Sequence, residues 1–325
     1  MKIVFYGFRH SHIEGLYKRA ISNSRVDVVA CIEENKEARE DVANRLGIEF
    51  SCKSYEEYLN SDIDAVAIGG CYGDRGQAII KALKAGKHVI ADKPICTKRE
   101  EFDEIVKLCK ENNLKLFVMF DLRYIPASKV AKKIFDENKL GRVINVSFLG
   151  QHFLDYGKRP SWYFEDGKHG GTLNDLSIHG VDLIRHLTGQ GIEKVESARV
   201  FNAYATEVKN FKDCGLFMAK LSGGGEVIAD TSYSSSVAVY ATDIYWNFKF
   251  WCEKGMLTFN FKGDEVTIYY IDKAEPEVIK CEDDGINYLD DFVDEINLGN
   301  SDITSGMLAS CLDTLIIQEV ADNNN

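Results

Sequence analysis

KIVFYGFRHSHIEGL, Lys2 to Leu16, changes character twice. Its continuous apolar run, KIVFY, predicts a strand buried on both faces. A turn follows, Gly7-Phe8-Arg9-His10-Ser11-His12, and then a helical pattern over about 11–23. Strand, glycine turn and helix in this order form the opening of a nucleotide-binding α/β fold.

The same alternation continues. VDVVACI, 26–32, reads as the second strand, and a helix rich in Glu, Lys and Arg follows over about 35–45. Ala65–Ile68 precedes a glycine turn and a helix rich in Ala and Lys that ends at Gly86. His88–Ala91, a helix over about 98–112, and Leu114–Met119 complete the set. Continuous apolar strands separated by helices imply a parallel sheet covered on both faces, and right-handed crossovers make it doubly wound. The expectation is a Rossmann domain over 1–122.

After residue 123 the pattern changes. A helix near 126–138 ends at Gly141, and strand-like runs follow: VINVSFLGQHF, VESARVFNAY, LFMAKL, EVIADTSYS, IYWNFKFW and EVTIYYI. Several alternate apolar and polar residues, as a sheet with one solvated face does. GGG at 223–225, EKG at 253–255 and KGD at 262–264 punctuate hairpins. Helical patterns near 286–298 and 302–320 close the chain, and the final Asn-rich tail is expected to fray. Residues 123–325 are therefore expected to form an α+β domain on a large, open, mostly antiparallel sheet, giving an α/β protein of two domains.

Composition narrows the function. The chain has 325 residues and a net charge of −12 with no basic tract, which speaks against nucleic acid and against anionic membrane surfaces. No apolar run reaches bilayer length. The N-terminus enters a strand at once, so no signal peptide is expected. Nine cysteines without C-x-x-C spacing suggest free thiols in a reducing cytoplasm and speak against zinc; no metal site is expected.

The glycine turn is the expected phosphate site. Only Gly7 fits the G-x-G-x-x-G fingerprint; Arg9 and His12 stand at the other glycine positions. The helix N-terminus still offers N–H groups to a pyrophosphate, and Arg9 adds a charged donor. Phe8 and His10 belong to the same turn; His10 and His12 either ligate phosphate or serve the helix start. Glu33, at the end of the second strand, can accept from both ribose hydroxyls of NAD and would repel the 2′-phosphate of NADP. NAD is therefore favoured, while Lys36 and Arg9 keep NADP open. Gly70, Cys71 and Tyr72 follow the next strand, where glycine permits close backbone approach to a ligand. Asp92-Lys93-Pro94 follows HVIA and aims Lys93 at the same crevice; a cis X-Pro bond there would set its direction.

The second chemical centre is GGTLNDLSIHGVDLIRHLTG, Gly170 to Gly189. Read as one amphipathic helix, it carries a packing stripe of Leu176, Gly180, Leu183 and Leu187. A polar stripe of Asp175, His179, Asp182 and His186 runs beside it. Residues four apart on a helix are neighbours, so Asp175 can touch His179. A carboxylate beside an imidazole is the equipment that proton transfer near neutral pH requires. His186 reads as a helix-surface or interface residue, and Trp246 and Trp251 as core or interface aromatics.

These pieces resemble the Gfo/Idh/MocA oxidoreductases. AGKHVIADKPICT is similar to that family's strand and Glu-Lys-Pro signature, with Asp92 in place of Glu. GGTLNDLSIHGVDLIRHLTG is similar to its G-G-x-L-x-D-x-G-x-H-x-x-D helix, with Ser177 where Gly is usual. FDLRY, with Arg123, and KLGRV, with Gly141, resemble the segments that join its two domains. The resemblance implies a bound nicotinamide cofactor, an active-site lysine at Lys93 and an acid–base pair at Asp175 and His179. It also implies a homodimer or homotetramer, often packed through the open sheets. The same resemblance implies that the segments holding Trp162, Tyr163, His152 and Asp121 line the substrate side. The expected activity is hydride transfer between nicotinamide and a secondary hydroxyl or carbonyl of a sugar, polyol or inositol-like substrate. The alternatives are a redox-neutral enzyme that uses transient hydride transfer, and a non-catalytic dinucleotide or sugar sensor.

Overall fold

Residues 1–299 and 302–324 are described by a computed structural model of the chain. Two contact units divide it. The first comprises residues 1–119, 167–170 and 287–308, and the second comprises 120–166, 171–286 and the C-terminal residues from 309.

In the first unit the elements alternate as β1 (Lys2–Tyr6), α1 (His12–Ile21), β2 (Asp27–Ile32), α2 (Lys36–Leu46), α3 (Tyr55–Leu59), β3 (Ala65–Ile68), α4 (Tyr72–Lys84), β4 (His88–Ala91), α5 (Arg99–Glu111) and β5 (Leu116–Val118). The five strands form one sheet in the order β2-β1-β3-β4-β5, every pair parallel. β3 and β5 are buried along their whole length, which is why they read as unbroken apolar runs. The strand order reverses beside β1, and such a switch point opens the crevice where α/β sheets bind ligands. α3 is absent from the sequence reading. Its signal is the capping box of Ser54 and Glu57, which bond each other's backbone N–H groups.

The second unit contains α6 (Pro126–Asp136), β6 (Val143–Leu149), α7 (Ile178–Thr188), β7 (Ile192–Phe201), β8 (Cys214–Leu221), β9 (Glu226–Asp230), β10 (Asn247–Cys252), β11 (Gly255–Phe259), β12 (Glu265–Tyr270) and β13 (Glu277–Lys280). Its eight strands run β13-β12-β11-β10-β6-β9-β8-β7. Only the β6–β9 pair is parallel among the described pairings. β13 was too short and too exposed to show a period. α8 (Tyr288–Leu298) belongs to the first unit, where Phe292 packs on Phe117 of β5. α9 (Ile303–Asn323) ends the chain; Asn323 is helical rather than frayed, and Asn325 lies outside the described residues.

One face of the large sheet is dry. Phe148, Phe217, Val227, Phe248 and Phe250 meet Ala131 and Ile134 of α6, Leu183 and Leu187 of α7, and Ile317 of α9. The opposite face shows Leu149, Leu216, Met218, Ile228, Trp251 and Tyr269 to solvent, each at least 40% exposed. Of the two tryptophans read as core or interface, Trp246 is buried and Trp251 stands on this open face. No helix among the described residues is long and apolar enough to cross a membrane.

The stretch 170–189 is not one regular helix. Leu173–Ser177 forms a π-helical turn, and α7 starts only at Ile178. Such π turns recur at functional sites. The packing stripe is real: Leu176, Leu183 and Leu187 are buried, and a Cβ at Gly180 would lie 2.2 Å from the Phe148 ring. The polar stripe is buried too, at Asp175, His179 and Asp182.

Candidate active site

The first cluster sits at the switch point of the parallel sheet. Gly7 has φ +81°, and a Cβ there would lie 3.0 Å from the amide nitrogen of Gly70. A Cβ at Gly69 would come within 2.3 Å of the Gly7 carbonyl. The close backbone approach that these glycines permit is thus first to each other. Glu33 directly follows β2, with one carboxylate oxygen accepting from the Phe8 N–H at 2.5 Å and the other from the Asn35 N–H at 2.7 Å. Phe8 contributes only backbone here; its ring packs among Phe5, Tyr17 and Phe50. Lys36 is exposed, 3.8 Å from Glu40. Ser11 precedes α1 without capping it by its side chain, so the helix start is open to an anion. A turn without room for Cβ atoms, an uncapped helix and a strand-end carboxylate fit a dinucleotide.

His10 and His12 both face Asp92. Nδ1 of His10 is 2.5 Å from one carboxylate oxygen, and Nδ1 of His12 is 3.2 Å from the other. Burial, the largest influence, pushes the His10 pKa down to about 3 against the pull of Asp92. The imidazole is therefore neutral: Nδ1–H donates to Asp92, and Nε2, 3.1 Å from the Tyr72 hydroxyl, accepts. Burial alone would raise the Asp92 carboxyl; Arg75 above all, then His10 and His12, hold it well below the usual carboxylate range. Asp92 also accepts the Lys93 N–H at 2.8 Å, so its oxygens are filled by protein donors. It organises the turn from within. Lys93 is buried, its Nζ lies 5.9 Å from the centre of the Tyr72 ring, and the Lys93–Pro94 bond is cis. Cys71, at the start of α4, is buried, and burial raises its thiol to about 11.

Two members of this cluster escaped the sequence reading. Arg75, on the second turn of α4, is fully buried and bonded to Asp92 at 2.6 Å. His169 arrives in the segment 167–170, which folds onto α4 although it lies far along the chain. Lys168 accepts the Gly73 N–H at 2.8 Å and pairs with Asp74 at 2.7 Å, and the His169 ring lies 5.5 Å from Tyr72. Gly73 is the only trace of this in sequence: a Cβ there would meet the Gly167 carbonyl at 1.9 Å.

Among the described residues, His10, His12 and Asp92 have donor atoms close enough, within 4.8 Å, to hold a metal ion. Here Nδ1 of His10 is hydrogen-bonded to Asp92, and Arg75 supplies a positive charge to the same carboxylate.

The second cluster is described within the second unit. Asp175, in the π turn, accepts a hydrogen bond from the Tyr233 hydroxyl. Burial first and Asp175 second hold the Tyr233 phenol well above its ordinary pKa, so it remains a donor. Ser177 bonds Thr231 at 2.7 Å, tying the same turn to the segment after β9. His179 is buried, its ring edge-on to Trp246 at 5.3 Å, and His152 lies 5.8 Å from the same indole. Trp246 adopts φ +44°, a conformation rare for a bulky residue that clusters at functional sites. Trp162 and Tyr163 are buried with ring centres 4.1 Å apart, and Arg159 spans Tyr163 and Tyr233 at 4.6 and 5.2 Å. Asp121 is partly buried in the single turn Asp121–Tyr124. Asp182 is taken by Arg123 in a two-pronged ion pair, both bonds 2.6 Å. His186, read as a helix-surface or interface residue, is partly buried; burial, then the charge of Arg123, lowers it to about 3.

A family model described as "Oxidoreductase family, NAD-binding Rossmann fold" matches residues 3–120. A second, the GFO/IDH/MocA C-terminal domain, matches residues 129–258. The chain belongs to the GFO/IDH/MocA oxidoreductases. NAD is the cofactor of its Rossmann domain. Within this family it is 32% identical over 164 residues to levoglucosan dehydrogenase of Pseudarthrobacter phenanthrenivorans, covering 49% of this chain and 42% of that one. It is 32% identical over 177 residues to scyllo-inositol 2-dehydrogenase (NAD(+)) of Bacillus subtilis, covering 54% and 50%. These matches span about half the length of the GFO/IDH/MocA relatives concerned. Levoglucosan dehydrogenase in complex with NADH and levoglucosan superposes with a TM-score of 0.82 over 100% of this chain and 98% of that one, at 21% identity. That likeness carries the fold across both units.

Proposed function

We propose that the chain is an NAD-dependent dehydrogenase of secondary hydroxyl groups on sugar-, polyol- or inositol-like substrates, working in either direction. What supports this reading is that Asp175 and His179 are both buried, with His179 edge-on to Trp246, in a family of NAD-binding oxidoreductases. When bound, NAD supplies the hydride acceptor. Gly7, the Phe8 backbone, Arg9, Glu33, Gly70, Cys71 and Tyr72 are the residues that would hold it, with His10, His12 and Asp92 shaping the turn beneath.

His179 takes the hydroxyl proton as the carbinol carbon is oxidised, and returns it in the reverse direction. Asp175 orients the imidazole and stabilises its protonated form, while Tyr233 holds Asp175 in place. Lys93 donates to the substrate oxygen, and its charge favours developing alkoxide character. Trp246, edge-on to His179, gives the imidazole an apolar neighbour. The relatives' names, levoglucosan and scyllo-inositol dehydrogenase, suit sugar- and inositol-like substrates.

The test is His179→Ala, assayed with NAD and a panel of cyclic polyols and anhydrosugars. Turnover should fall by roughly two to four decades while NAD binding and melting temperature hold. Full turnover in that variant would remove His179 from the chemistry.

A further inference from the structure

We propose that Arg75 is the positioning residue for Lys93, a clamp that ties the loop after β4 to the glycine loop after β3. This rests on the reading that Lys93 acts in turnover. A guanidinium has five N–H donors in a rigid planar fork. All five find an acceptor here. Nε donates to the Gly69 carbonyl at 3.0 Å. One terminal nitrogen donates to the carbonyls of Lys93 at 2.5 Å and Pro94 at 3.1 Å. The other donates to the Gly70 carbonyl at 3.1 Å and to Asp92 at 2.6 Å. The plane is backed by the Tyr72 ring, 4.6 Å from the central carbon.

The choice of acceptors makes this a clamp rather than generic packing. Four are main-chain carbonyls at the carboxyl ends of β3 and β4, where the crevice of a parallel sheet lies. One is the carbonyl of Lys93 itself, so the guanidinium fixes the backbone from which that side chain departs. Arg75 and Asp92 are both wholly buried, so each charge needs the other, and the pair holds one geometry. Lysine has three donors and no fork, and cannot reach both loops together.

The test uses the full chain. Wild type, Arg75→Lys and Arg75→Ala are labelled briefly with acetic anhydride, and acetylation of Lys93 is read by peptide mass spectrometry against exposed Lys18. Melting temperature and NAD affinity are measured in parallel. Released from the clamp, Lys93 should acetylate about tenfold faster or more in both variants, with Lys18 unchanged. Millimolar guanidinium should restore protection in Arg75→Ala, and ammonium should not. Folded variants whose Lys93 labels at the wild-type rate would overturn the proposal. Should neither variant fold, Arg75→Gln decides: its planar amide fills similar space but has too few donors to hold both loops, so faster Lys93 labelling supports the clamp and unchanged labelling refutes it. The reading of Lys93 itself is tested separately by the turnover of Lys93→Ala, so the two failures are distinguishable.

Discussion

Tyr233 donates its hydroxyl hydrogen to Asp175, a residue 58 positions earlier in the chain. One oxygen of the carboxylate expected to serve His179 is therefore claimed by a phenol from the segment after β9. The bond steadies the carboxylate and drains part of its charge. Tyr233→Phe should leave more of that charge to stabilise the His179 imidazolium. The acidic limb of the kcat/KM profile should then move to higher pH, by up to about one unit, with turnover reduced about tenfold by the lost anchor. A lower rate with an unmoved limb would make Tyr233 structural only.

Glu33 has two duties, since it holds the glycine turn through Phe8 and stands just past β2, where a ribose would sit. Glu33→Gln keeps the shape but loses the charge. NAD binding should weaken about tenfold and NADP should gain ground, measured by calorimetry with both dinucleotides. An unchanged NAD to NADP ratio would remove Glu33 from cofactor choice.

Stability should fall in mild acid. His10 and His186 are both held to about 3 in the fold, against an ordinary value of 6.5. Below pH 6.5 the unfolded chain takes up protons that the folded chain refuses, so stability drops as pH falls from about 6.5 towards 3. Each imidazole contributes a slope of up to about 1.4 kcal/mol per pH unit. Urea melts from pH 7 to 4.5 measure it, and His186→Gln should remove one share.

Gly180→Ala separates packing from chemistry. The helix propensity gain is at most about 1 kcal/mol, whereas overpacking a core costs about 1–3 kcal/mol. A methyl 2.2 Å from Phe148 cannot fit without displacement. The variant should melt several degrees lower, and Phe148→Leu in the same chain should restore part of the loss.

The open sheet face carries a groove of about 570 Å³ lined by Leu149, Leu216, Met218 and Ile228, with Arg199 and Lys249 beside them. That much exposed apolar surface fits a homo-oligomer. Light scattering should show a dimer or larger, and Ile228→Lys, opposite Met218 in the β8–β9 pairing, should lower the mass. A monomeric wild type would reject this.

Much of the architecture was written in the order of residues. Unbroken apolar runs at 3–5, 65–68 and 89–91 required a sheet covered on both faces, and alternation in β8 and β9 required a half-solvated one. Asp175, His179 and Lys93 stood out because their spacing and strand-tip placement are local properties. The π turn was hidden, because apolar spacing over one turn does not distinguish it from an α-helical turn.

Local order along the chain therefore established the elements, the sheet types and the residues with chemical promise. Folding alone made Arg75 buried, since a helix arginine looks solvated until the loop 17 and 18 residues further on closes over it. Folding alone also placed Tyr233 on Asp175 and brought residues 167–170 back to α4. Periodicity records which face of an element is buried; hydrogen-bond partners depend on which distant element arrives there, and no local pattern encodes that.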